Sequence, residues 1–252
     1  MIMIGSRPSE GITDARVLSL SKDQDSTRSD QALVLRRTMR GVWTYLPTLS
    51  VAGLAVACAT GVAIMISQLS IIGLILLPVL VGPTTAALCV VADDILARDD
   101  TSFRSWWTGL RRFSGFGMLT VIIAGLPAAL LLVGLLALQR SGSTIAYLPV
   151  VLSAIVTVII GATMIAVIPL GVSRPQLRGL ALWLTAAHLV ARWPVRFLAP
   201  LCLLGLGIWV SHALTGTLLI LLPAPVVLLA AAACWTSALE LGAGGLERYE
   251  ER

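Results

Sequence analysis

The sequence predicts an all-α integral membrane protein, a bundle of about six transmembrane helices with two cytoplasmic interfacial segments and both termini in the cytoplasm. Of the 252 residues, 57% are hydrophobic and only 12% are charged, about half of the roughly 25% found in ordinary soluble domains. A span needs about 20 apolar residues to cross about 30 Å of hydrocarbon. Six uncharged stretches qualify: residues 42–66, 71–92, 116–138, 145–170, 197–214 and 217–239.

The distribution of basic residues predicts the orientation. With six spans, 17 of the 18 Lys and Arg residues lie on the side of the two termini, and Arg140 is the exception. All 13 acidic residues lie on that same side. Because basic residues accumulate in cytoplasmic loops, this side is predicted to be the cytoplasm. The opposite face has only three short loops, so we expect partners to bind in the membrane or in the cytoplasm.

Three regions follow from this pattern. Residues 1–35 are predicted to form a polar, disordered cytoplasmic tail, residues 36–240 the six-helix transmembrane domain, and residues 241–252 a short cytoplasmic tail. The apolar part of the opening "MIMIG" is too short for a secretory signal peptide, so the first span is expected to target the chain.

The first span carries small residues at every fourth position, namely Gly53, Ala57 and Gly61. Such a stripe lets two helix backbones approach closely in lipid, where packing drives association. We predict that this face contacts another helix. A chance occurrence in an alanine-rich chain is the alternative.

The second span contains a Gly82-Pro83 pair and ends near Asp93 and Asp94. An aspartate at the bilayer centre costs about 2.5 to 3.5 kcal/mol on insertion scales, so both acids are expected at the cytoplasmic interface. Proline removes a backbone donor, and the threonine hydroxyls that follow it can bond the freed carbonyls. This predicts a kink, and a discontinuous helix of the transporter type is the alternative.

The first cytoplasmic segment is "SFRSWWTGLRRF", residues 102–113, with Thr101 or Ser102 as the N-cap. Its aromatic and leucine residues recur near helical spacing, which predicts a helix lying in the interface. The arginines of this segment are Arg104, Arg111 and Arg112.

The second cytoplasmic segment is predicted to form a helix that starts at Ser173 and Pro175. On such a helix Arg174, Arg178 and Arg192 would share one face, opposite Leu177, Leu180 and Leu184. For both segments two interpretations stay open. The arginines bind anionic lipid headgroups, or they form a docking surface for an acidic partner protein.

No motif predicts an enzyme. The chain has no P-loop, HExxH or GxSxG pattern, and its four cysteines lie inside predicted spans without CxxC spacing. We therefore predict no catalytic residues, no cofactor, no metal site and no nucleic-acid partner.

Residues 81–113 combine a glycine-proline helix start with a short charged linker and an aromatic segment that ends in basic residues. The residues of this pattern are Gly82, Pro83, Thr85, Ala86, Ala87, Ser102, Phe103 and Arg112. On these residues the segment resembles the signature region of the YesL family of bacterial membrane proteins, a family with a domain of unknown function, and in pattern the similarity extends over residues 36–240. The resemblance implies a multi-pass protein of the bacterial inner (plasma) membrane, of a family whose genes commonly accompany carbohydrate-uptake ABC transporters.

These observations lead to one expected function and two alternatives. The expected function is a non-enzymatic membrane accessory or partner subunit associated with carbohydrate uptake. Its expected partners are the lipid bilayer and the subunits of an ABC transporter or another membrane protein. The alternatives are an independent small-solute transporter and a membrane assembly scaffold without a link to transport.

Overall fold

A computed structural model describes residues 31–69, 72–141, 147–213 and 218–241. Within these ranges every regular element is a helix, as the sequence predicts. The helices are α1 (31–44), α2 (Leu46–Leu69), α3 (Ile72–Arg98), α4 (Phe103–Ser141), α5 (Tyr147–Ser173), α6 (Gly179–Arg192), α7 (Pro194–Ala213), α8 (Leu218–Leu221) and α9 (Pro223–Glu240).

Six of these helices, α2, α3, α4, α5, α7 and α9, are long and apolar enough to cross a membrane. This confirms the predicted number of spans and makes the chain a multi-pass membrane protein. Helix α6 has 14 residues and is therefore only about 21 Å long. It is too short to span the hydrocarbon core.

The helical domain begins earlier than predicted. Helix α1 already includes residues 31–35, which the sequence assigned to the polar tail. The reason is that Val34 and Thr38, one turn apart, are buried against the bundle, so the helix gains apolar contact that a polar tail would not make. The rest of the two predicted tails, residues 1–30 of the tail 1–35 and residues 242–252 of the tail 241–252, lies outside the described residues.

Helix α3 is the centre of the bundle. Its residues Leu88, Val91 and Leu96 belong to a buried cluster that also contains side chains of α1, α2, α4 and α9. A second buried cluster joins α5, α6, α7 and α9. The side chains of α3 that follow Pro83 are therefore surrounded by protein on most sides.

Helix α3 runs without interruption through Pro78 and Pro83. The Thr84 hydroxyl donates to the carbonyl oxygens of Leu80 at 2.8 Å and Val81 at 3.1 Å. Polar side chains of this kind compensate for backbone bonds that proline disturbs inside membranes. The alternative of a discontinuous helix at Gly82-Pro83 is therefore not what the structure shows.

Helices α3 and α4 cross at two glycines. A Cβ atom added to Gly82 would lie 2.5 Å from the carbonyl oxygen of Gly117, and a Cβ on Gly117 would lie 3.1 Å from the Cβ of Ala86. Both Ala86 and Ala87 are completely buried. Three residues of the predicted family signature, Gly82, Ala86 and Ala87, thus have a packing role.

The first interfacial segment is not a separate helix. It forms the first three turns of α4, which continues for 39 residues, or about 58 Å. Ser102 is the predicted N-cap, with its Oγ accepting from the Ser105 N–H at 3.4 Å. The helix continues through Gly115 because a single glycine costs only about 1 kcal/mol, and the rings of Phe113 and Phe116 pack edge to face across it.

The second segment starts later than predicted. Helix α5 continues to Ser173, whose hydroxyl donates to the Leu170 carbonyl oxygen rather than capping a new helix. Residues 174–178 form a turn, because the residue before Pro175 is disfavoured in helical conformation. Helix α6 begins only at Gly179, whose positive φ of 58° suits glycine.

This later start changes which side chains face the bundle. The buried residues of α6 are Leu182, Ala186 and Leu189, while Leu180 and Leu184 are 74% and 61% exposed. The predicted arginine stripe does not form, because Arg174 and Arg178 precede α6 and only Arg192 lies on it.

The small-residue stripe of α2 packs at one end only. A Cβ on Gly53 would lie 3.2 Å from the Cβ of Ala224, at the start of α9. Ala57 is half-buried, and Gly61 is exposed with no heavy atom within 4 Å of a built Cβ. The predicted contact therefore forms at Gly53 and does not extend along the stripe.

Candidate functional site

One end of the bundle gathers charged side chains from helices that are far apart in sequence. Glu240 at the end of α9 accepts from Gln31 Nε2 at 2.9 Å and pairs with Arg196 at the start of α7. Arg37 of α1 reaches the end of α3. We call this end, which also holds the α3–α4 and α5–α6 connections, the arginine-rich end.

Arg37 caps the C-terminus of α3. Its Nη1 donates to the carbonyl oxygens of Leu96 at 3.0 Å and Ala97 at 2.8 Å. The last carbonyls of a helix have no partner within the helix and carry partial negative charge, which a guanidinium complements. The contact therefore fixes α1 against α3.

Tyr45, between α1 and α2, holds the residue that follows α3. Its hydroxyl donates to the carbonyl oxygen of Asp99, a residue with a positive φ of 53°. Burial, together with the carboxylates of Asp99 and Asp100, raises the pKa of Tyr45 above its usual value of 10.0. The hydroxyl therefore stays a neutral donor at physiological pH.

The two aspartates of α3 lie near this end and have partners. Asp93 Oδ1 accepts from Trp235 Nε1 of α9 at 2.8 Å. Asp94 lies 3.8 Å from Arg98 one turn later. Asp93 is thus bonded to α9, and Asp94 is paired with a residue of its own helix.

The first turns of α4 expose aromatic and basic side chains on one face, namely Phe103, Arg104, Trp107 and Arg111, which we call the α4 surface. The Arg111 guanidinium carbon lies 5.0 Å from the centroid of the Trp107 ring. Phe103 and Trp107 are 55% and 45% exposed. Neither arginine forms an ion pair with an acid in the described part of the chain.

Arg112 projects from the opposite flank of α4 into a half-open cavity of about 430 Å³ that Arg178 also lines. A second cavity of about 450 Å³ adjoins it and shares the lining residues Phe116, Leu119, Gly179 and Leu182. We call the two cavities together the α4–α6 groove.

The six candidate arginines therefore do different things. Arg112 and Arg178 line the same cavity of the groove, although they are far apart in the sequence, whereas Arg104 and Arg111 lie on the α4 surface. Arg174 lies beside Trp235, and the Arg192 guanidinium stacks 5.0 Å from the ring centroid of Trp193. Sequence reasoning missed the roles of Arg37, Tyr45, Gly117 and Trp235, whose partners are all distant in the chain.

The cysteines and the acids form no metal-binding group among the residues that the structure describes. Cys89 and Cys234 are buried, Cys58 and Cys202 are exposed, and all four are free thiols. A buried Cys in this setting acts as a small apolar side chain.

Comparison of the chain with protein-family models, with curated proteins and with solved structures finds no match. The resemblance of residues 81–113 to the YesL family therefore stays a prediction.

Proposed function

We propose that this chain is a non-enzymatic accessory subunit of a complex in the bacterial inner membrane and that it binds a partner protein in the cytoplasm. The observation that carries the proposal is the α4 surface. There, exposed aromatic rings stand on one face of a helix together with two arginines that form no ion pair within the described part of the chain.

The length of α4 supports the position of this surface outside the hydrocarbon core. The uncharged part of the helix, residues 113–139, is about 40 Å long and crosses about 30 Å of hydrocarbon even when tilted. The residues before it, 103–112, add about 15 Å. The α4 surface thus has room to face a protein at the membrane boundary.

The composition of the α4 surface is typical of protein interfaces, which are enriched in aromatic residues and arginine. Trp106 and Leu110, on the inner side of the same turns, pack into the central cluster. Because these contacts hold the turns in place, little order has to be gained on binding. The two unpaired arginines favour an acidic partner surface.

The identity of the partner is inferred from the resemblance. YesL-like chains are associated with carbohydrate-uptake ABC transporters, so the proposed partner is a subunit of such a transporter. The excess of basic residues on the side of the α4 surface supports its placement in the cytoplasm.

Gentle extraction from a bacterial host, followed by identification of the co-purified proteins, tests the proposal. The wild-type chain is expected to recover ABC transporter subunits, and the double variant Arg104→Glu/Arg111→Glu to lose them about tenfold or more. The double variant Arg36→Glu/Arg192→Glu is the control, because it reverses two other exposed arginines and changes the net charge equally.

Three results contradict parts of the proposal. Undiminished recovery with the Arg104→Glu/Arg111→Glu variant rejects the α4 surface as the docking site. Solute flux by the purified chain in proteoliposomes supports the alternative of an independent transporter. Recovery only of membrane proteins without a role in transport supports the assembly scaffold.

A further inference from the structure

The α4–α6 groove runs from the polar boundary of the bundle into its apolar part. Arg112 directly precedes the uncharged stretch of α4, and Arg178 follows the end of α5. The groove then follows α4 as far as Ile123. From Phe113 to Ile123 the helix advances about 15 Å, half of a hydrocarbon core of about 30 Å. The groove is therefore about one leaflet deep.

The chemistry of the groove changes along this length. At its mouth, Arg112 and Arg178 have no acidic partner among the described residues. The Arg112 guanidinium carbon lies 5.3 Å from the Phe113 ring centroid. Arg178 Nε donates to the Pro175 carbonyl oxygen at 3.2 Å, a bond that does not use the two terminal nitrogens of the guanidinium. Deeper in, the walls are apolar and aromatic: Phe116, Leu119, Ile123, Leu182 and Trp183.

Two guanidinium groups at a membrane boundary are suited to a phosphate, because each presents a planar fork of donors. An apolar channel one leaflet deep is suited to an acyl chain. Basic pockets between helices on the cytoplasmic side commonly hold anionic lipid headgroups. The volumes are also in the range of small-molecule sites, about 300 to 1,000 Å³.

We infer that the α4–α6 groove binds one molecule of an anionic phospholipid. The phosphate lies between Arg112 and Arg178, and one acyl chain lies along Phe116, Leu119 and Ile123. This lipid site is separate from the α4 surface, which occupies another flank of the same helix, and does not depend on the proposed function.

The test uses the purified full chain in mild detergent, without any partner protein. Native mass spectrometry measures the binding of phosphatidylglycerol and of phosphatidylcholine with the same acyl chains. We expect one phosphatidylglycerol per chain and an affinity about tenfold or more above that of phosphatidylcholine. Inorganic phosphate at millimolar concentration is expected not to displace the lipid.

Three variants separate the headgroup site from the acyl channel. Arg112→Gln/Arg178→Gln is expected to weaken the binding of phosphatidylglycerol about 10- to 30-fold and to leave the binding of phosphatidylcholine unchanged. Arg36→Gln/Arg140→Gln removes the same charge from two exposed positions that do not line the groove and should not change the binding of either lipid. Leu119→Trp fills the apolar part of the groove and should weaken the binding of both lipids. Thermal unfolding in detergent verifies that each variant is folded.

Several results would overturn the inference. Equal binding of the two lipids by the wild-type chain rejects an anion-selective site. If both double arginine variants lose the same affinity for phosphatidylglycerol, the effect is one of general charge and not of a specific site. Displacement of the lipid by inorganic phosphate indicates a free-anion site, and unchanged binding by Leu119→Trp rejects the acyl channel.

Discussion

At the scale of single residues, the contact between Gly82 and Gly117 sets how closely α3 and α4 approach. A methyl group on Gly82 would lie 2.5 Å from the Gly117 carbonyl oxygen and 2.7 Å from the Met118 nitrogen. These are backbone atoms and cannot rotate away as a side chain can. The helices themselves have to separate.

The first prediction is that Gly82→Ala destabilises the folded chain by about 1 to 3 kcal/mol, the usual cost of overpacking. Gly125→Ala is the matched control, because a Cβ there meets no atom within 4 Å and alanine favours helix. Thermal unfolding in detergent measures both variants. Equal stability of the two would show that the crossing adjusts freely.

The second prediction concerns Tyr45. Tyr45→Phe removes the hydrogen bond to the Asp99 carbonyl oxygen and should lower the free energy of unfolding by about 1 kcal/mol at pH 8. The pKa of Tyr45 is raised on folding, so the contribution is fully present below the unfolded pKa of about 10. It is then lost as the pH rises through the folded pKa.

Unfolding of the wild type and of Tyr45→Phe between pH 7 and pH 11 measures this effect. Tyr147→Phe is the control, since Tyr147 is exposed at the start of α5. A difference between wild type and Tyr45→Phe that persists unchanged at pH 11 is incompatible with the assigned donor.

At the scale of helices, α1 is attached to the bundle mainly through Arg37 and a few buried side chains. We predict that Arg37→Gln lowers stability by about 1.5 to 3 kcal/mol, the range for hydrogen bonds to charged groups. Hydrogen exchange of residues 31–44 should accelerate. Arg36→Gln, an exposed neighbour, should leave exchange unchanged, and equal acceleration in both variants would count against the cap.

The helices that cross the membrane were predictable from the sequence, because an uncharged stretch of about 20 residues has few other stable states. The start of α6 was not, because Pro175 resembles a first-turn proline and the left-handed turn at Gly179 leaves no pattern of its own. The continuity of α4 could not be predicted either, because a single glycine such as Gly115 is compatible with either a break or a continuous helix. Both errors fall at glycines.

The candidate site was predictable only in its parts. The sequence shows Arg112 and Arg178 as basic residues near span ends, and both were candidates. That both line one cavity depends on how α4 packs beside α5 and α6, and no local sequence pattern predicts this packing. The same holds for Asp93 and Trp235, which lie on different helices.

At the scale of the whole molecule, the fourth prediction concerns orientation. Single cysteines at Gln68, Arg140 and Ile220 should react with a membrane-impermeant maleimide from outside the cell, whereas cysteines at Ser102 and Gln176 should not. All five positions are exposed.

The exposed native thiols Cys58 and Cys202 are first replaced by alanine, and labelling after lysis serves as the control. Reaction of positions 140 and 102 from the same side would be incompatible with six spans.

The uninterrupted course of α4 has a mechanical consequence. The Gly82–Gly117 contact divides the helix into an arm of about 21 Å that carries the α4 surface and an arm of about 36 Å that reaches the opposite end. A tilt of about 5° around this contact would move the far tip by about 3 Å, nearly twice the displacement of the near tip. Spin-label distances between Gln139 and Gln68, with and without partner, measure such a movement. A helix of this length that touches α3 at two glycines would carry a tilt at one end of the bundle to the other end.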